Sequence, residues 1–199
     1  ASDETVEGGE SLTFGVDYKF TENDTLNDVF KIGIAQVFRA QQNKDLPKTN
    51  KIGEKRSDIF GTLAFSHNDF INLNYNFSLD NNANDSNYNN INLNLNVNKF
   101  VTSFEYLDDD ISSDTKNFLS SSIKYNANDN HSLLFNRREN KKTGLTEYNN
   151  LIYEYSNDCL KAGIEYRKKY YSDNDTKPGE ELMFTVTLGT FGTIYSPTF

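Results

Sequence analysis

The chain has 199 residues, 36% hydrophobic and 14% aromatic, with a net charge of −9. That charge, with no basic stripe to meet phosphates, argues against a nucleic-acid partner. No run approaches ~18 consecutive apolar residues, which excludes a transmembrane helix, while 12 Tyr and 15 Phe exclude a disordered composition.

Period-two alternation runs from end to end and reads as β-strand. Leu12, Phe14, Val16, Tyr18 and Phe20 alternate with small or polar residues. A second strand is expected over 29–39 and a third over 57–66. The fourth, 70–79, sets Ile71, Leu73, Tyr75, Phe77 and Leu79 against Asn72, Asn74, Asn76 and Ser78. The fifth, 88–97, sets Ile91, Leu93, Leu95 and Val97 against Asn92, Asn94 and Asn96. Further strands follow at 100–107, 117–125, 131–138, 147–156 and 159–170. The last, 180–188, carries Leu182, Phe184, Val186 and Leu188 on one side. That makes eleven, most of about 8 to 12 residues, the length a tilted strand needs to cross a bilayer. No helix start signal is followed by an i, i+3, i+4 apolar stripe.

The connections sharpen this reading. A long polar loop at 40–56 precedes a short turn at His67–Asp69; a loop at 80–87 precedes a tight turn at Asn98–Lys99. Short and long keep alternating through 108–116, 126–130, 139–146, Asn157–Asp158 and 171–179. Greek-key sandwiches have no reason to alternate in this way, whereas an up-and-down outer-membrane barrel does, with short turns on one rim and long loops on the other. The expected fold is therefore all-β, an antiparallel up-and-down transmembrane barrel. Asn72, Asn74, Asn76, Asn92, Asn94 and Asn96 would face a wet lumen, since a bare amide is costly against lipid or a dry core. Alternation alone also fits the inverse, a soluble barrel with the apolar set inside. Loop pattern and strand length favour the membrane. Bacterial single-chain barrels close with even strand counts, so eleven points to part of a larger barrel.

Chemistry-bearing motifs are scarce. His67 and His131 lie in a turn and at a strand start, without a His-x-x-x-His or Cys-x-x-Cys set for a metal. Neither G-x-S-x-G nor a glycine-rich phosphate loop occurs, so no catalytic residue, metal or cofactor is expected. Asp108, Asp109 and Asp110 do not match a calcium loop and read as a solvated acidic loop. Arg137, Arg138, Lys141 and Lys142 read as a charged rim. The opening ASDETVEGGE has neither a basic n-region nor an apolar h-region, so an export signal is expected upstream. Cys159 is the only cysteine, so no disulfide can close within the chain.

Two stretches carry a family resemblance. In the first, Gly33–Asp80, a strand ending AQVFR is followed by N-x-D-L-P and then by R-S-D-I-x-G-x-L opening the next strand. In the second, Tyr153–Gly192, a cysteine follows a turn, then come an R-x-x-x-Y strand end, an Asp/Asn-rich loop with proline and a final strand. Together they resemble the C-terminal barrel part of the lipopolysaccharide-assembly outer-membrane protein (LptD/OstA family), in its alphaproteobacterial form. The resemblance implies that residues 1–199 are the C-terminal portion of the barrel with no second domain, in the bacterial outer membrane. It implies transport of lipopolysaccharide, without enzymatic activity, alongside a plug lipoprotein and periplasmic bridge proteins. It also implies that 180–188 (Leu182, Phe184, Val186, Leu188) borders a lateral gate, and that Cys159 bonds a cysteine of a periplasmic domain. The alternatives are a passive porin-like channel, which would show facing charge clusters in the lumen, and a soluble β-barrel binding protein.

Overall fold

A computed structural model describes residues 9–22, 28–46, 51–111, 116–170, 178–188 and 192–195. Twelve strands lie among the described residues. They are β1 (Ser11–Thr21), β2 (Asp28–Arg39), β3 (Arg56–His67), β4 (Ile71–Leu79), β5 (Ser86–Val97) and β6 (Phe100–Asp109). Then come β7 (Lys116–Asn126), β8 (His131–Asn140), β9 (Leu145–Ser156), β10 (Leu160–Lys169), β11 (Gly179–Leu188) and β12 (Gly192–Tyr195). Hydrogen-bonded neighbours follow chain order in one antiparallel up-and-down sheet, with β1 and β12 at the ends of the order. The eleven strands expected from alternation are all present, with boundaries shifted by at most two residues. The twelfth is short and carries no alternation to betray it. The alternation of loop lengths lapses once, because 127–130 and 141–144 are equally short.

Asparagine and aspartate close the hairpins. Asn128 Oδ1 accepts from the backbone N–H of Asn130 (3.0 Å) and His131 (2.9 Å). Asn157 does the same for Cys159 and Leu160, and Asn140 for Lys142 and Thr143. A short side chain that accepts from the chain two and three residues on substitutes for a backbone turn. Asn68 and Asn98 instead take left-handed φ values of 48° and 53°, which Asn tolerates better than most residues. Five of the asparagines are thus used to reverse the chain.

Contacts divide the chain into two compact units. The first holds β1–β3 with Leu73–Ile91 and Leu107–Lys116. In it β1 pairs β2 from Ser11↔Arg39 to Phe20↔Phe30, so Leu12, Phe14, Val16, Tyr18 and Phe20 share a face with Ile32, Ile34 and Phe38. That face is open: Val16 is 74% exposed and Phe14 62%. Gly61 lies on it too, and the Phe77 ring occupies the space a Cβ there would need.

The second unit holds 68–72, 92–106 and 117 onward. Its registers align rungs across β8, β9, β10 and β11, namely Leu133–Tyr153–Ile164–Phe184 and Phe135–Leu151–Tyr166–Leu182. All eight side chains are 38–44% exposed. Alternation puts Asn136, Asn150, Arg167 and Glu181 on the opposite face. Among the described residues the only large apolar side chain that counts as buried is Phe118, while Arg39, Ser57, Asp58, Ser78 and Asn150 are all buried polar groups. In β4 and β5 the contrast is weaker, with Leu73 and Leu93 half-buried and Asn72, Asn76, Asn94 and Asn96 exposed. Among the described residues no apolar core forms within either unit. An apolar surface of this extent is unstable in water, since soluble domains rarely leave contiguous apolar patches beyond a few hundred Å².

Candidate functional site

The polar face of the second unit is built by alternate residues of β5 to β11. Asn92 and Asn94 line a shallow pocket together with Ser103, Glu105, Ser122 and Asn136. Asn96 lies nearer the short turns, where its Nδ2 donates to the Asp69 carbonyl at 2.7 Å. Farther along the sheet the face becomes ionic. Arg167 makes two bonds to Glu165 Oε1 (2.8 and 3.1 Å), and Asn150 Nδ2 adds a third at 3.1 Å. Lys169 pairs with Glu181 at 2.7 Å, Lys161 with Glu154 at 2.9 Å, and Arg138 with Glu147 at 2.8 Å. Arg138 also lies over the Phe118 ring, 3.9 Å from its centroid, which explains why a phenylalanine is tolerated on this side. The asparagine lining expected from β4 and β5 does not include the paired charges of β8–β11. Their signal is the spacing of Lys161, Glu165, Arg167 and Lys169 in β10. Each cation there has an adjacent carboxylate, so the face is densely charged but locally neutral.

In the first unit Asn76 joins Phe60, Ser78, Tyr88 and Asp109 around a separate pocket, and Asn74 is half-buried on β4. Two of these residues, Phe60 and Tyr88, are aromatic where alternation calls for polar side chains. The R-S-D motif explains itself here. Ser57 is 0% and Asp58 1% exposed. Ser57 Oγ accepts from the Val37 N–H at 2.9 Å and donates to the Asp58 carbonyl at 2.6 Å, at the point where the β2–β3 register shifts. Asp58 accepts from Asn87 Nδ2 at 3.0 Å and faces the Lys51 ammonium at 3.8 Å. The latter is an ion pair beyond hydrogen-bond distance. Arg39 Nε donates to the Ile52 carbonyl at 2.7 Å, and Asn43 N–H to the Gly53 carbonyl at 2.8 Å. These bonds hold residues 40–46 and 51–55 back on the strand ends.

Cys159 sits in the β9–β10 turn, exposed and unbonded within the chain, one residue before β10 begins. Leu182, Phe184 and Val186 are exposed on the apolar face and Leu188 is half-buried. β11 pairs β10 along its whole length, and on its other side pairs β12 over Thr185–Leu188. It is therefore not the last strand in the order. Gly179–Phe184 has no second neighbour among the described residues. His131 stacks on Tyr153, with Nδ1 2.6 Å from the tyrosine hydroxyl, as part of an aromatic cluster on the short-turn rim. Asp109 Oδ1 accepts from the Ile111 N–H, a turn role. Among the described residues no group of three His, Cys, Asp or Glu is placed to hold a metal.

A model of one protein family, LptD (LPS transport system D), matches residues 4–131, more than half of the chain. The chain belongs to the LptD family. LptD proteins serve lipopolysaccharide transport and assembly at the outer membrane of Gram-negative bacteria, and the family is not one of enzymes. The match takes in the N-x-D-L-P and R-S-D-I-x-G-x-L block and Asn72, Asn74, Asn76, Asn92, Asn94 and Asn96. Tyr153–Gly192, with Cys159 and β11, lies beyond it. No curated protein matches the chain.

Proposed function

We propose that this chain is the C-terminal portion, residues 1–199, of an LptD barrel of the alphaproteobacterial form. Its strands form part of the conduit that delivers lipopolysaccharide to the outer leaflet. The observation that carries this is the inversion of ordinary burial, with exposed apolar rungs on one face and paired charges, amides and hydroxyls on the other. In lipid the first face is satisfied by hydrocarbon and the second by lumen water. Asn72, Asn74, Asn76, Asn92, Asn94 and Asn96 face that lumen. The partners are lipopolysaccharide, the plug lipoprotein and the periplasmic bridge proteins.

Within this reading β11 and β12 form one side of the lateral gate, and Leu182, Phe184, Val186 and Leu188 face the passing acyl chains. Pro178 and Gly179 at the start of β11 support it, because proline and glycine weaken pairing at a strand start. Cys159, exposed on the short-turn rim in an oxidising compartment, bonds a cysteine of the periplasmic domain. Two measurements on the full-length protein test this. A photo-crosslinker at Phe184 is expected to capture lipopolysaccharide in cells, while one at Val16, exposed on the apolar face of β1, captures far less. Equal capture at both sites refutes the gate. On a non-reducing gel the mobility shift is expected to vanish in Cys159→Ser, and its persistence refutes the disulfide.

A further inference from the structure

The apolar rungs of β8–β11 end in a polar one. One rung beyond Phe135–Leu151–Tyr166–Leu182, toward the 141–144 and 170–178 connections, the same registers align Arg137, Asn149, Lys168 and Glu180 on the same face. The step is two residues, about 7 Å along the strand, so this rung lies where hydrocarbon gives way to headgroups. Arg137 and Lys141 share a single carboxylate, Glu139, at 3.3 and 3.1 Å, which leaves one positive charge uncompensated. Arg137 also donates to Thr146 Oγ1 at 3.1 Å, which holds its guanidinium along the surface. Lys168 is paired with Glu180 at 2.8 Å and lies 5.6 Å from the Tyr170 ring centroid, and Asn149 Nδ2 reaches the Tyr170 hydroxyl at 3.3 Å. The other end of the same apolar face closes on His131 and Tyr155, where the turns carry Asp129 and Asp158 and the Lys99 ammonium is held by the Ala127 carbonyl at 2.6 Å. In a chain of net charge −9, a cationic rung at one rim of an apolar face is a local reversal of sign.

We infer that Arg137, Lys141 and Lys168, with Asn149 and Tyr170, form a lipid-facing site for the phosphorylated sugar headgroup of an outer-leaflet glycolipid, distinct from the gate on β11 and β12. The inference rests on the membrane reading above. Guanidinium and ammonium groups supply charge-assisted bonds to phosphate oxygens, while the amide and phenol suit sugar hydroxyls. The donors span two strand spacings, about 10 Å, which fits a phosphorylated disaccharide better than a single phosphodiester. The acyl chains of such a lipid would lie along the apolar rungs below.

The test uses the full-length protein in neutral-lipid nanodiscs, with bound lipid counted by native mass spectrometry. Three probes compete: a diglucosamine lipid with two phosphates, its dephosphorylated form, and phosphatidylglycerol. The native protein is expected to favour the diphosphorylated lipid over its dephosphorylated form by about tenfold. The Arg137→Gln/Lys141→Gln/Lys168→Gln variant is expected to bring the ratio within about twofold, while Lys168→Arg and Lys99→Gln leave it unchanged. A triple variant that keeps the preference overturns the site, and equal retention of phosphatidylglycerol overturns the glycolipid assignment. Heat-modifiable mobility separates the two levels of failure. A folded, inserted barrel without the preference refutes this inference alone, whereas a chain that never inserts refutes the membrane reading beneath it.

Discussion

Ile164→Arg places a charge in the middle of an apolar rung flanked by Tyr153 and Phe184. Ile164 lies four residues from Lys168, the first charged residue on that face of β10, or about 14 Å along the strand. With a strand tilt near 40° the depth below the charged rung is about 10 Å, beyond comfortable reach of a snorkelling side chain. An arginine at the bilayer midplane of a barrel costs about 2–4 kcal/mol, falling to about 0–1 near the interface. Ile164→Arg is therefore expected to destabilise the folded barrel by about 3 kcal/mol, and Tyr166→Arg, one rung nearer the headgroups, by about 1 kcal/mol beyond the loss of the ring's contacts. Thr185→Arg, on the opposite face, has no hydrocarbon to meet and is expected to cost less than either. Reversible urea unfolding of the full-length protein from lipid vesicles measures all three. Were Ile164 to face water, its replacement by arginine would be neutral within about 0.5 kcal/mol. A neutral Ile164→Arg combined with a costly Thr185→Arg would refute the assignment of faces.

Asp58→Ala removes a charge-assisted acceptor from Asn87 and leaves residues 40–46 and 51–55 without their Lys51 anchor. It is expected to cost about 1.5–3 kcal/mol, and limited proteolysis should cut near residue 51 several times faster. Ala83 holds a left-handed φ of 59° in the β4–β5 turn, so Ala83→Gly is expected to stabilise the hairpin by about 0.5–1 kcal/mol in the same urea assay. Asp80 accepts the Asn84 N–H at 2.7 Å, and this bond, with weaker ones from Asp85 and Asn82, holds its carboxyl below the ordinary 3.8. A pKa depressed on folding contributes stability above that ordinary value and loses it as pH falls through the depressed one. Protection of the Asn84 amide, corrected for intrinsic exchange, should hold from pH 7 to about pH 4 and decline below it. Asp80→Asn should abolish the decline.

Most strands were legible because alternation and tight turns are local, and here both agree. What escaped depended on neighbours. β12 has four residues and no alternation, and is defined by pairing with Thr185–Leu188. Ser57 and Asp58 look like the polar start of a strand, yet a register shift beside them draws both inside. Phe60 and Tyr88 defy the two-face rule because a pocket with Asn76 and Ser78 receives them. The β10 charges were visible in their spacing, but the asparagine runs of β4 and β5 are the louder signal. Gly61 reads as a break in a strand and is instead the floor under Phe77.

Spin labels placed one at a time along 180–188, in a Cys159→Ser background reconstituted in lipid, address the two faces directly. The account predicts high oxygen accessibility at 182, 184 and 186 and high accessibility to a water-soluble nickel chelate at 181, 183 and 185. The opposite phase, or chelate access at every position, would contradict it.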